Sequence, residues 1–234
     1  MSLNKSKGNM YPWVDYTWNP IRGKCPHDCV YCFMKGRDVG PLRLDEKTLA
    51  DNLGSGRTIF VGSSTDMFAM AVPHTLIFRV LEKCNKHQNT YIFQSKDPGR
   101  FCYSMDMLGK LPPQTILGTT LETNRDAGQE HCGFAPPPWA RTRAMKHASL
   151  GRFKKMVSIE PIMAFDFDIF LKWIRDIKPA FVSIGADSKG HNLPEPQQGD
   201  IDKLVIALRE FTEVKLKKNL ARILLGGKKI KTRR

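Results

Sequence analysis

Lys24-Cys25-Pro26-His27-Asp28-Cys29-Val30-Tyr31-Cys32-Phe33 is the stretch on which the reading of this chain turns. Its cysteines keep the spacing C-x3-C-x2-C within one tight loop. A cubane iron–sulfur cluster normally takes four thiolates, so three leave one iron open to a ligand that is not protein. The alternative is a structural zinc site, with His27 or one of the distant Cys84, Cys102 and Cys132 as fourth ligand. Such sites usually present two close pairs far apart in sequence. Here three cysteines crowd into eight residues and no second pair follows, which favours the cluster. A disulfide framework suits neither the six cysteines nor a chain of 234 residues, long enough to bury a full core.

Outward from this loop, short β-branched and aromatic runs alternate with amphipathic stretches, the pattern of βα units around a parallel sheet or barrel. Six units are expected. The first strand covers Trp13 to Thr17 and runs into the cysteine loop, with a helix from about Asp45 to Leu53. The next strands are Thr58 to Gly62, Thr90 to Gln94, Thr115 to Thr120, Lys155 to Ile159 and Ala180 to Ile184. Their helices run from Pro73 or His74 to about Lys86, from Asp97-Pro98-Gly99 onward, from Pro138 to Ser149, from Phe167 to Ile177 and from Ile201 to Phe211. Asp97 and Pro98 have the residue types of an N-cap and a first helical position. A short strand, Glu213 to Leu216, closes one edge. Six units are too few for a full eight-unit barrel of about 250 residues. The expected organisation is one partial-barrel domain over residues 1–220 and a basic tail over 221–234.

The hydrophobic fraction of 41% is that of an ordinary soluble protein. No run approaches the roughly 20 apolar residues of a spanning helix, and Met1 to Asn9 lack a signal peptide's apolar core. The expected location is a reducing cytoplasm. The net charge of +14 is uneven, with nine Lys or Arg and no acid from Lys215 to Arg234. A second basic stretch (Arg141, Arg143, Lys146, Arg152, Lys154, Lys155) stands near Trp139 and Phe134, which have the chemistry to stack on bases.

Functional groups of parallel barrels gather where strands end. The strand ends here are polar: Gly62-Ser63-Ser64-Thr65-Asp66, Gln94-Ser95-Lys96-Asp97, Thr119-Thr120-Leu121-Glu122-Thr123-Asn124, Ser158-Ile159-Glu160-Pro161 and Gly185-Ala186-Asp187-Ser188. Taken singly, such residues are turn formers and helix caps; their placement around one open cluster gives them a joint functional reading. Trp18-Asn19-Pro20 is expected to turn, either as a lid over the cluster or as a packed loop under the barrel mouth. A buried Glu160 needs a cationic partner, for which Lys96 is the candidate.

The cysteine spacing, with Tyr31 directly before the last cysteine, resembles the signature of the radical S-adenosylmethionine (radical SAM) superfamily. Tyr16 to Cys25, Gly62 to Phe68 and Ser158-Ile159-Glu160-Pro161 resemble more narrowly the small phage-associated, Gp37/Gp68-like three-cysteine proteins. That group is similar at a distance to the spore photoproduct lyases. The resemblance implies an α/β fold, a partial (β/α)6 TIM-like barrel. It implies a [4Fe-4S] cluster on Cys25, Cys29 and Cys32, whose open iron chelates S-adenosylmethionine, and Tyr31 near the adenine. Gly62, Ser63 and Ser64 would face the SAM amino group, although they depart from the commoner Gly-Gly-Glu. Thr120, Glu122 and Asn124 are the ribose candidates, and Glu160 would hold SAM or reach the substrate. Cys102 and Cys132 are candidate hydrogen-atom donors.

The activity so implied is SAM cleavage to a 5′-deoxyadenosyl radical that acts on a nucleic acid or nucleotide, with flavodoxin or ferredoxin as electron donor. One rival is a non-catalytic nucleic-acid-binding module with a structural zinc. A second, a barrel hydrolase or lyase, would need an acid/base pair or metal cage apart from the cysteines. The six histidines form no H-x-H or H-E-x-x-H motif, which argues against it.

Overall fold

The computed structural model describes residues 3–225 of the chain. A short strand β1 (Asn4–Lys5) pairs antiparallel with β2 (Tyr16–Trp18). A separate two-stranded ribbon of β3 (Ile21–Arg22) and β4 (Arg43–Leu44) brackets the cysteine loop. From β2 the main sheet runs in sequence order through β5 (Thr58–Val61), β6 (Thr90–Ser95), β7 (Thr115–Thr120), β8 (Lys154–Ile159), β9 (Phe181–Ile184) and β10 (Glu213–Leu216), all parallel. The ladder ends at β1 and β10 and does not close, so the architecture is a partial α/β barrel.

The helices are α1 (Glu46–Leu49), α2 (His74–Asn85), α3 (Met105–Lys110), α4 (Pro138–Met145), α5 (Phe167–Ile177), α6 (Gln198–Arg209) and α7 (Ala221–Leu224). In α5, Phe170, Leu171, Ile174 and Ile177 recur at helical spacing and are buried, while Lys178 takes a left-handed conformation and ends the helix. Gln197 and Asp200 form a reciprocal capping box at the start of α6.

Strand side chains alternate between two faces, and the two faces have different neighbours. Ile59, Val61, Tyr91, Phe93, Leu117, Val157, Ile159, Val182 and Ile184 pack in the large outer core with the helices. Phe60, Ile92, Met156 and Phe181 form a smaller inner cluster with Tyr11 and Val14. Fully burying each such aliphatic or aromatic side chain is worth about 1.5–3 kcal/mol, so the outer core carries most of the stability and the inner one shapes the barrel interior.

The inner cluster corrects the first strand. Residues expected to start it at Trp13 instead fold inward, and the ladder begins at Tyr16. The Tyr11 ring stacks on Trp13 at 4.8 Å between centroids and lies 5.9 Å from Phe60; Trp13 meets Phe181 edge-on at 5.2 Å. This segment therefore bridges from β5 to β9 across the interior. Pro12 supplies no backbone donor, which suits a plug better than a ladder strand.

Other boundaries moved for local reasons. Helix α1 spans four residues rather than reaching Leu53, with Asp45 accepting a cap bond from the Thr48 N–H at 3.0 Å. Asp97 makes no capping bond, and Pro98–Cys102 wind as a 3-10 helix. The helix expected from Pro138 to Ser149 stops at Met145, with a separate turn over Ala148–Leu150. Within the expected tail, α7 is helical and residues 226–234 lie outside the described ones. Among the described residues, no helix is long and apolar enough to cross a membrane.

Candidate functional site

A cavity of about 540 Å³ opens at the C-terminal ends of the strands. Cys25, Cys29 and Cys32 line it, together with Tyr31, Gly62, Ser63, Ser64, Thr120 and Glu160. Its floor is polar, and Lys217 stands over the Tyr11 ring at 4.9 Å. The Tyr11 hydroxyl donates to Gln94 Oε1 at 2.7 Å and lies 2.9 Å from Ser158 Oγ, while Gln94 Nε2 donates to Thr120 Oγ1 at 3.0 Å. Gln94, Thr120 and Ser158 all project inward from successive strands, as the period of two requires.

All six cysteines are free thiols. Burial, reinforced by the charge of Asp66, pushes the Cys25 thiol up to about 11. The Cys29 thiol donates to the Cys132 carbonyl at 3.2 Å, and the Met34 N–H points at Cys32 Sγ at 3.4 Å. Among the described residues, no three His, Cys, Asp or Glu side chains converge closely enough to hold a single metal ion. Three soft donors around one cavity fit a polynuclear cluster, in which each thiolate meets a different iron.

The cysteine loop is held from two sides. His27 Nε2 lies 2.8 Å from Asp66 Oδ2, which also accepts from Ser95 Oγ at 2.9 Å and the Lys96 N–H at 2.8 Å. Burial opposes the Asp66 charge, but the His27 hydrogen bond and these donors outweigh it and lower its pKa. On the other side, the Val30 N–H donates to the His131 carbonyl at 3.0 Å and the Phe134 N–H to the His27 carbonyl at 2.7 Å. Gly133 permits this approach: it sits at φ +61°, and a Cβ there would stand 2.1 Å from the His27 carbonyl oxygen. The sequence reading missed this second anchor; Gly133 was its one local signal.

Glu122 does not line the cavity. Its side chain is fully buried, with Arg141 Nη1 2.8 Å from one oxygen and Lys96 Nζ 3.2 Å from the other, which also accepts from the Tyr31 hydroxyl. Burial alone would raise its pKa, but Arg141 and Lys96 bring it down to about 2. Its two oxygens are thus taken up by Arg141, Lys96 and Tyr31 inside the protein, away from the cavity lining where a ribose contact was expected. Asn124 is also diverted: it donates to Asp166 Oδ2 at 3.1 Å on the exterior. Lys96 pairs with Glu122 rather than Glu160, and its ammonium lies 5.1 Å from the Tyr31 ring centroid. Glu160 instead meets Lys217 at 2.6 Å, Asn9 at 2.7 Å and Asn219 at 2.9 Å.

The two candidate hydrogen-atom donors are placed differently. Cys132 is fully buried behind the cysteine loop, 3.7 Å from the Tyr31 hydroxyl, and burial followed by the charge of Glu122 pushes its thiol up to about 11. Cys102 lies on the 3-10 helix after β6, pointing at the Gly99 carbonyl at 3.6 Å, and is not among the cavity-lining residues.

Trp18-Asn19-Pro20 is the packed loop rather than a lid. Trp18 is fully buried with Nε1 donating to the Thr48 carbonyl at 3.1 Å, and Asn19 Oδ1 accepts from Ser63 Oγ at 3.1 Å and the Ser64 N–H at 2.9 Å. The basic stretch from Arg141 to Lys155 is likewise largely occupied. Arg141 is buried on Glu122, Lys146 pairs with Asp176 at 2.9 Å, and Arg152 and Lys155 donate to the Leu108 and Met145 carbonyls. Phe134 and Trp139 are exposed, as base stacking would need.

The chain is an open parallel α/β barrel whose first βα loop carries three cysteines into the cavity at its mouth, and this partial-barrel fold is the one seen in structures of radical SAM enzymes. Solved structures share this fold. A spore photoproduct lyase mutant with dinucleoside spore photoproduct superposes with a TM-score of 0.66 at 11% identity, covering 92% of this chain and 78% of that one. A second mutant of that lyase, with bound AdoMet and the same dinucleoside, gives 0.65 at 10%, covering 89% and 78%. Streptococcus suis SuiB bound to S-adenosylmethionine gives 0.58 at 10%, covering 86% of this chain and 49% of that one. At such identity the likeness is one of fold. No family model and no curated protein matches the sequence.

Proposed function

We propose that the chain is a radical SAM enzyme that carries a [4Fe-4S] cluster on Cys25, Cys29 and Cys32 and acts on a nucleic acid or nucleotide. The observation that carries this reading is the convergence of all three motif cysteines on one cavity at the barrel mouth. When bound, the cluster and S-adenosylmethionine together supply a 5′-deoxyadenosyl radical, delivered after one electron from a flavodoxin- or ferredoxin-like donor. The narrower kinship to the small phage-associated Gp37/Gp68-like proteins belongs to this proposal too, on the motifs quoted above.

The chain's own residues bind, orient and exclude. Tyr31 lines the cavity beside the cysteines, with its ring fixed by the Lys96 ammonium and its hydroxyl by Glu122. Gly62, Ser63 and Ser64 line the wall nearest the Asn19 latch, in a suitable place for an amino group. Thr120 and Glu160 line the wall on the side of the later strands, and Thr120 keeps its place as a ribose candidate. The Tyr11–Trp13 plug closes the barrel beneath the cavity by packing against Phe60 and Phe181. Cys132 is kept as the candidate to return a hydrogen atom by way of the cavity-lining Tyr31, whose hydroxyl lies 3.7 Å from its thiol.

A nucleotide-class substrate is supported by the net charge of +14, the exposed Phe134 and Trp139, and the dinucleoside bound by the spore photoproduct lyase of the same fold. The test is anaerobic reconstitution followed by reduction with SAM and chromatography of the products. The wild type releases 5′-deoxyadenosine and Cys29→Ala releases none; equal release from both, or none from either, rejects the proposal.

A further inference from the structure

Beside the catalytic cavity lies a second depression of about 720 Å³, lined by Arg22, Arg37, Arg43, Asn19, Ser64 and Thr65 among others. Ser64 and Thr65 line both depressions, and the adjacent Phe33 and Met34 line one each. The two are thus neighbours across the end of the cysteine loop, with a shared wall on the β5 loop.

Three arginines gather here against the grain of local electrostatics. Arg22 and Arg43 are direct cross-strand partners in the β3–β4 ribbon. Opposed residues of an antiparallel pair share a face, and like charges there are destabilising. Two acids are near. Asp45 pairs with Arg22 Nε at 2.9 Å, and Asp38 lines the groove while its Oδ1 accepts the Gly40 N–H at 3.2 Å. Arg22 also donates to Thr48 Oγ1 at 3.0 Å, and Arg43 Nη1 to the Val39 and Pro41 carbonyls, each at 3.1 Å. These bonds hold two guanidinium groups in place, and Arg37 is exposed above the same groove. Fixed, planar, multidentate cations are what phosphate oxygens select.

We infer that this groove is a phosphate track: it takes the phosphodiester backbone of a single-stranded or locally opened polynucleotide whose reacting nucleotide occupies the catalytic cavity. The inference rests on the nucleic-acid reading above and deepens it. A free mononucleotide would fill the cavity without engaging Arg37 or Arg43, whereas a strand leaving the cavity past Ser64 and Thr65 meets both.

The test is fluorescence anisotropy of the full chain with a labelled oligodeoxythymidylate over a series of KCl concentrations. Arg37→Gln is the main variant, because its guanidinium makes no hydrogen bond or ion pair among the described residues, and Arg43→Gln is the second. Each phosphate contact on a single strand contributes about −0.7 to the slope of log K against log salt. The inference predicts salt-dependent binding by the wild type, a slope shallower by about 0.7 in each variant, and no change in SAM binding by Arg37→Gln. Wild-type binding with unchanged slopes in both variants overturns the track and leaves the nucleic-acid reading standing. Absence of oligonucleotide binding by the wild type overturns the track and the polynucleotide substrate together, and leaves a free nucleotide as the substrate of the proposed function.

Discussion

Arg141 Nη1 lies 2.8 Å from Glu122 Oε2, and neither side chain is exposed to solvent. The pair joins α4 to the end of β7, and through Lys96 and the Tyr31 hydroxyl it reaches the wall of the cavity. A charge at this depth is tolerable because its partners satisfy it; removing Arg141 leaves Glu122 with Lys96 as its one remaining charge partner, and breaking a buried pair costs about 3–5 kcal/mol. Arg141→Met is therefore expected to lower the urea midpoint sharply, more than Lys146→Met on the surface pair with Asp176. Equal small shifts would show that the buried pair contributes little.

The same pair sets an acid limit. The carboxyl of Glu122 is depressed to about 2 from its ordinary 4.5 by Arg141 and Lys96, which overcome the opposing effect of burial. Between those values the unfolded chain binds more protons than the folded one, so this group's stabilisation is present above about 4.5 and is lost as pH falls toward about 2. Urea midpoints measured down through that window should fall more steeply in the wild type than in Glu122→Gln. Parallel curves would contradict the assignment.

Gly133 is the hinge of the loop that backs the cysteines. Alanine there meets the His27 carbonyl at 2.1 Å and a positive φ, so the 126–134 segment must withdraw from the cysteine loop. Beyond an overpacking cost of about 1–3 kcal/mol, Gly133→Ala is expected to reduce the iron retained after reconstitution. Normal iron content would show that this contact does not position the loop.

Tyr11→Phe removes the hydroxyl that links Gln94 to Ser158 on the cavity floor. Leaving those buried polar groups short of a partner costs about 1–3 kcal/mol, visible as a lower urea midpoint with the aromatic packing retained. An unchanged midpoint would mean that water replaces the hydroxyl and that the floor is not sealed.

Much of this architecture is legible in the residues. Helix α5 and strands β7 and β10 fall where the periodicity places them, because apolar residues recur at helical spacing in Phe170, Leu171, Ile174 and Ile177 and because β-branched runs favour the pleat. The cysteine loop falls at the barrel mouth for the same reason. What periodicity hides is contact between distant positions. Trp13 alternates with residues of a true strand, yet it turns inward to meet Phe181. Nothing near Glu122 announces that Arg141, on the next helix, will consume its oxygens, or that Lys217 will answer Glu160 from the last strand's end. Those pairings are decided by tertiary packing, which brings the ends of the parallel strands and helix α4 together.

The central claim is that Cys25, Cys29 and Cys32 hold a cluster with an open iron. It is tested most directly by anaerobic reconstitution with iron and sulfide and EPR of the reduced protein before and after addition of SAM. The account predicts a brown protein whose reduced-cluster signal shifts when SAM is added, and loss of that signal in Cys25→Ala, Cys29→Ala and Cys32→Ala but not in Cys102→Ala. A colourless protein holding one zinc and indifferent to SAM would contradict it.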